Sequence, residues 1–203
     1  MQYLLEVFQP KDNREKILLA GFMEMYENGY QGMRIDAVLK KTDLAKGALY
    51  HHFPNKISLA YAIIDEVIFE FSRQQFYSSL KGVEDPIAGL QKAFFDMSQK
   101  MTDDEIAMGC PVNNLAQEMS GLDEGFKTRI NKIYEAWHEG VLTCLKKAKE
   151  KQIIRSNIDE RQISLFIICA MQGISGAAKC MCSKKVLLEQ VGVLSDFLDD
   201  LRV

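Results

Sequence analysis

The sequence predicts an all-α protein of about nine helices. Apolar residues recur at spacings of three and four, as in Ile17, Leu18, Gly21, Phe22, Met25 and Tyr26, and do not alternate as they would in strands. Four prolines in 203 residues leave long helical runs unbroken. No internal repeat and no low-complexity linker divides the chain.

Each element carries its own signals. Asp12 followed by Glu15 has the form of a capping box, and the apolar stripe behind it ends at Asn28-Gly29. Short helices are expected over about 35–41 and 45–52, the second stopping before Pro54, which disfavours helix at its predecessor. Two short helices separated by three or four residues are the helix-turn-helix signature. A long helix is then expected from Asn55 to about Leu80, and Pro86 suits the first turn of the next, which runs to about Met101. An acidic loop, Asp103 to Met108, leads into Gly109-Cys110-Pro111, which opens a helix through Met119. From Asp123 to about Lys151 the stripe Phe126, Ile130, Ile133, Trp137, Val141 and Cys144 or Leu145 marks a long amphipathic helix. Helices over about 159–181 and 184–201 close the chain.

Composition narrows the classes. Hydrophobic residues make up 47% and charged residues 26%, so a packed fold is expected, not disorder. The longest uncharged apolar run, Ile163 to Ala178, is broken by polar and small residues, and no membrane span is proposed. Met1 to Pro10 is apolar but has no basic n-region and no small-residue cleavage site, so it does not read as a signal peptide and the expected location is cytoplasmic. Five cysteines at 110, 144, 169, 180 and 182 form no disulfide framework. The net charge of −3 conceals a local excess: residues 34–56 sum to +3 and the remainder to −6. A local basic patch is the electrostatic footprint of a nucleic-acid binder.

The patch coincides with the two short helices. Val38, Leu44, Leu49 and Phe53 can fill a small core, leaving Lys46, Gly47, Ala48, Tyr50 and His51 on the opposite side of one short helix. Gly47 lets the backbone approach a duplex, Ala48 can touch a thymine methyl, and Lys46 can reach a phosphate or a guanine edge. Tyr50 and Lys56 suit phosphates, which fix register without reading sequence.

The stretch from Gly29 to Lys56, above all Lys46-Gly47-Ala48-Leu49-Tyr50-His51-His52-Phe53, resembles the DNA reader of the TetR family of transcriptional regulators. The resemblance implies that His51 and His52 share the positioning role, and that the chain is a homodimer binding a near-palindromic double-stranded operator. It also implies three segments: an N-terminal arm (1–11), a helix-turn-helix domain (12–56) and an effector-sensing, dimerisation domain (57–203). Met33 and Arg34 stand where the family usually has Thr or Ser, so a helix cap is missing and Arg34 supplies a charged contact in place of a hydroxyl. Asp43 stands where the turn usually has Gly, and Leu39 replaces a smaller residue.

The remainder of the chain is expected to sense. Met97, Met101, Met108, Leu115, Met119, Tyr134, Trp137, His138 and Val141 line a flexible apolar pocket on one reading and form ordinary core on the other. Gly109-Cys110-Pro111-Val112-Asn113-Asn114-Leu115-Ala116-Gln117-Glu118 resembles the NemR-like, electrophile-sensing branch of the same family, with Lys179 where that branch has a lysine. That resemblance implies a reactive thiol at Cys110 whose oxidised form a lysine traps. Packing is the alternative reading for Cys110. Cys180-Met181-Cys182 is a lone C-x-C with no ligand spacing around it, so no metal and no cofactor is expected. Ile163, Phe166, Ile167, Ala170, Met171 and Ile174, then Val186, Leu187, Val191, Leu194, Phe197, Leu198 and Leu201, read as a mixture of core and four-helix dimer interface. Two other classes remain open. One is a DNA-binding regulator or activator without an effector. The other is an enzyme using Cys110 and His138, for which no orienting third residue or oxyanion motif exists.

Overall fold

The computed structural model describes residues 8–73 and 83–203. Most of the apolar arm, and the expected course of the long helix from residue 74 to about Leu80, therefore lie outside the described residues. The helices are α1 (Asn13–Gly32), α2 (Ile35–Thr42), α3 (Lys46–His52), α4 (Lys56–Ala62), α5 (Pro86–Lys100), α6 (Asp103–Met108), α7 (Pro111–Met119), α8 (Glu124–Glu150), α9 (Glu160–Met181) and α10 (Lys184–Asp199). No strand occurs among the described residues, only an isolated bridge between Ile154 and Arg202. The all-α expectation holds.

Caps explain where the helices begin. Asp12 accepts the Glu15 N–H at 2.8 Å, while the Glu15 carboxylate reaches back one residue further than a capping box requires, to the Lys11 N–H at 2.7 Å. Asn55 and Ser58 form a reciprocal box at the start of α4, and Asp85 accepts the N–H groups of Ile87 and Ala88 beside Pro86 at α5. The segment expected as an acidic loop is α6, a correction with a local cause. Thr102 and Glu105 form a reciprocal capping box, and three acidic residues sit in a first turn where the macrodipole favours them.

Two features break regular winding. α1 carries non-helical geometry at Gly29 (φ 71°, ψ 172°), where the sequence stripe was expected to end, and then makes one further turn. α4 runs on into a π-wound segment, Ile63–Ile68, before the helix resumes, so the expected continuous α-helix from Asn55 is interrupted by a wider turn.

The described chain divides into two compact units. The first joins the chain up to Ser72 with Pro111–Ile133, so it takes in α4, α7 and the opening of α8 beside the helix-turn-helix. Its interior buries Ile17, Leu18, Phe22, Met25, Val38, Leu49, Phe53, Leu59, Ile63, Phe126 and Ile130. At Gly21, α1 comes close to α4 and the π-wound segment after it, an added Cβ standing 3.4 Å from Leu59 Cδ2 and 2.8 Å from Ile63 Cδ1. The second unit joins Arg73–Cys110 with Tyr134–Val203 around a core that includes Ile87, Leu90, Val141, Leu145, Ile167, Leu194 and Leu198. α9 is long and apolar enough to cross a membrane by length and composition alone, yet Ser164, Ile167, Ile168, Met171 and Ala178 on it are buried in this core.

Candidate nucleic-acid interface

The reader is built on a left-handed turn. Asp43 ends α2 with φ 53° and ψ 24°, the geometry for which glycine is the unstrained residue, and Ala45 opens α3 without a side-chain cap. Leu49 and Val38 are fully buried and Phe53 nearly so, with Leu44 half-buried beside them. This holds α3 by one side only.

Lys46, Gly47, Tyr50 and His51 stand exposed on the other side, with Ala48 and His52 half-buried at its margins. Lys46 Nζ lies 5.9 Å above the Tyr50 ring, and the His51 and His52 rings meet edge-on at 5.2 Å. A Cβ placed on Gly47 would meet nothing within 4 Å, so no contact inside the protein requires glycine there. Arg34 is exposed at the N-cap of α2 and makes no capping hydrogen bond, in line with the missing hydroxyl.

Two other basic residues, Lys41 and Lys56, have partners within the unit. Lys41 bridges Glu27 at 2.9 Å and the buried Glu24 at 3.2 Å. Burial opposes its charge, but the hydrogen bonds it donates to these carboxylates prevail and raise its pKa. The local excess of +3 thus includes one charge already balanced inside the fold. Lys56 donates to the Gln31 carbonyl at 3.1 Å and lies 4.7 Å over the Tyr30 ring. Its pKa is lowered by burial, against the attraction of Glu118. By sequence Glu118 stands only at the end of the Gly-Cys segment, with no role of its own. Its Oε2 accepts the Tyr30 N–H at 3.0 Å and its Oε1 the Gln31 N–H at 2.8 Å, contacts across 88 and 87 residues that no local signal announces.

The sensing candidates fall in different places. Met97, Met101, Tyr134 and Trp137 are partly buried against the second core, and the rings of Tyr134 and Trp137 meet edge-on at 5.5 Å. His138 Nε2 and Ser98 Oγ are buried with no protein hydrogen-bond partner. Met119 is buried in the first unit. The Lys179 side chain lies directly on Gly109 (φ 75°), its Cδ 2.7 Å from where a Cβ would stand, so α9 brings that lysine beside the residue preceding Cys110. Cys110 is half-buried. The Tyr134 phenol is pushed up to about 12 by burial, with Cys110 and Cys169 adding to the shift. Burial likewise pushes the Cys144 thiol up to about 11, which makes it a packing residue. Among the described residues no group of three or more His, Cys, Asp or Glu could hold a metal ion.

The stripe expected to mix core and dimer interface separates by burial, and Leu165 and Val193, which were not part of it, join Phe166 on the exposed side. Ile167, Met171, Leu187, Val191, Leu194, Leu198 and Leu201 belong to the second core, whereas Leu165, Phe166 and Val193 are about half exposed.

Comparison with known proteins agrees with this architecture. Residues 17–63 match the family described as bacterial regulatory proteins, tetR family, and residues 86–189 match the tetracyclin repressor-like C-terminal domain. An uncharacterized HTH-type transcriptional regulator in the lacX 3′ region of Lactococcus lactis subsp. lactis is 28% identical over 198 residues, covering 93% of this chain and 99% of that protein. The HTH-type transcriptional regulator LmrA of Bacillus subtilis is 32% identical over 127 residues, 62% of this chain and 67% of its own length. A TetR transcriptional regulator from Chloroflexus aurantiacus has the same fold, with a TM-score of 0.83 at 23% identity over 100% of this chain and 98% of that one. NemR of Escherichia coli, a transcriptional repressor, is a more distant relative at 24% identity over 140 residues, 68% of each chain. An exposed reader helix anchored by Leu49 and Phe53, and matches that together span both units, lead to one conclusion: the chain belongs to the TetR family of DNA-binding transcriptional regulators, a family of regulators and not of enzymes.

Proposed function

We propose that this regulator is a cytoplasmic, dimeric repressor that binds a near-palindromic operator through α3 and leaves it when an effector reaches the second unit. The carrying observation is the outward face of α3, where Gly47 is open, Tyr50 is 41% exposed and Lys46, Ala48, His51 and His52 surround them, with Arg34 and Lys56 at the flanks. Such a face pairs base-reading groups with phosphate-binding ones. Half-exposed Leu165, Phe166 and Val193 on α9 and α10 supply apolar surface for a two-fold partner. Two-fold symmetry sets paired readers about 34–36 Å apart, the separation of successive major grooves. Selection of bound sites from random duplex DNA tests the reading. It is expected to return an inverted repeat, and recovery of unrelated sequences would overturn it.

Two signals fit the second unit. One is a small molecule seated among Met97, Met101, Tyr134, Trp137 and His138, with His138 Nε2 and Ser98 Oγ as polar anchor points for its head group. The other is oxidation at Cys110. Hypochlorous acid, reduced to chloride, converts the thiolate to sulfenic acid, and condensation with the Lys179 side chain then forms an S–N bond and releases water and the ammonium proton. The support is the Lys179 stem lying on Gly109. Cys110→Ser is expected to retain operator binding and lose release by hypochlorous acid, and normal release in that variant would exclude the thiol route. Movement of either signal to the reader through α4 is supported by its π-wound segment, since such segments recur at functional sites.

A further inference from the structure

We propose that Glu118 is a positioning residue for DNA binding: its carboxylate holds the Tyr30–Gln31 turn, and that turn seats Lys56 for a phosphate. The inference rests on reading Lys56 as a phosphate contact.

The turn is shaped to receive a carboxylate. Gly29 breaks α1 with φ 71°, and a Cβ there would stand 2.8 Å from Glu118 Oε2, so both the backbone conformation and the approaching carboxylate require glycine. The next two N–H groups, of Tyr30 and Gln31, donate one to each carboxylate oxygen, at 3.0 and 2.8 Å. Hydrogen bonds of this charge-assisted kind are among the stronger ones. The same two residues hold Lys56 from the other side, Gln31 through its carbonyl at 3.1 Å and Tyr30 through its ring at 4.7 Å. Glu118 thus fixes the two groups that fix the lysine.

Glu118 is also misplaced by local rules. It lies in the last turn of α7, where the macrodipole disfavours an anion and which contains no basic residue. Its hydrogen bonds to Tyr30 and Gln31 give it a use there that its own helix does not. α7 is nine residues long and opens at Pro111, the residue after Cys110.

The test measures binding of the full chain to fluorescently tagged random-sequence duplex DNA as a function of salt, because the slope counts phosphate contacts. Lys56→Ala is expected to lower that slope by about one per reader. Glu118→Ala is expected to lower it in the same sense and to weaken binding about tenfold, and to add almost nothing in a Lys56→Ala background. Simple removal of a negative charge near a lysine predicts the opposite, tighter binding. Glu118→Gln, the smallest change, decides the matter if Glu118→Ala fails to fold, and an intermediate loss of about threefold is expected for it. Unchanged or tighter binding in the Glu118 variants, or effects that add independently of Lys56, would overturn the proposal. A normal slope in Lys56→Ala alone would instead remove the phosphate reading of that lysine.

Discussion

Arg14 closes a two-pronged ion pair on Glu66, with Nη1 to Oε2 and Nη2 to Oε1 both 2.6 Å, and so ties the first turn of α1 to the π-wound segment of α4. The guanidinium also lies 5.2 Å over the Phe53 ring at the end of the reader. One side chain thereby touches the start of the fold, the reader's anchor and the helix that leaves it. The hydrogen bond to Glu66 raises the Arg14 pKa, with burial opposing. Because both partners are more than a third exposed, solvent screens the pair, and Arg14→Ala is expected to cost about 1 kcal/mol or less in urea unfolding. Exchanging the two residues, Arg14→Glu with Glu66→Arg, is expected to recover part of it, and no recovery would mean that the Phe53 contact dominates.

Stability and binding should separate on α3. Leu49 has 0% exposure, so Leu49→Ala is expected to cost about 2–5 kcal/mol and to abolish DNA binding by loosening the reader. Gly47→Ala has the opposite signature. With nothing near its Cβ, alanine is expected to stabilise the helix by up to about 1 kcal/mol while weakening DNA binding, since the added methyl meets only an approaching duplex. Thermal melting and a binding isotherm on the same sample check both halves, and unchanged binding by Gly47→Ala would count against α3 as the groove-facing element.

The turn before α3 stores a small strain. Asp43 holds φ 53°, which aspartate tolerates and glycine adopts freely. Asp43→Gly is expected to raise stability by about 0.5 kcal/mol, with part of the relief offset by the greater freedom of the unfolded chain. Asp43→Val is expected to lose more than about 1 kcal/mol, and equal melting temperatures for the two variants would refute the strain assignment.

Acid sensitivity should appear in the second unit at Asp85. Burial alone would push its pKa up, but the hydrogen bond from Arg202 (2.8 Å) and the N–H groups of Ala88 and Ile87 prevail and hold it below the ordinary carboxylate value. A depressed folded-state pKa means stability that is present above the unfolded value, about 4, and is lost as pH falls through the folded one. Asp85→Asn is therefore expected to melt below the parent at pH 7, and the gap should narrow as the pH is lowered beneath about 4. A gap independent of pH would show that the cap, not the charge, supplies the stability.

Much of this molecule is local chemistry and can be read along the chain. Asp12, Pro86 and Asp159 announce helix starts, Gly29 announces a break, and the pattern Val38, Leu44, Leu49 and Phe53 selects which side of α3 is held. The helix α6 was equally legible, since Thr102 and Glu105 have capping-box spacing, but the density of acids around them reads as a solvated loop. The eight DNA-binding candidates lie in one continuous stretch, which is why a single sequence can propose them together. The Cys110–Lys179 neighbourhood came through resemblance, because residues 69 positions apart leave no periodic trace of their approach.

By itself the sequence determined the all-α class, the reader and its exposed face, because those follow from side-chain periods, caps and turns spanning a few residues. Only the tertiary structure decided that Glu118 grips Tyr30 and Gln31, that Lys41 is balanced by Glu24 and Glu27, and that Ile167 and Met171 turn inward while Phe166 turns outward. The reason is physical: a helix stripe states that a face is buried, but its partner is chosen by packing among helices distant in the chain.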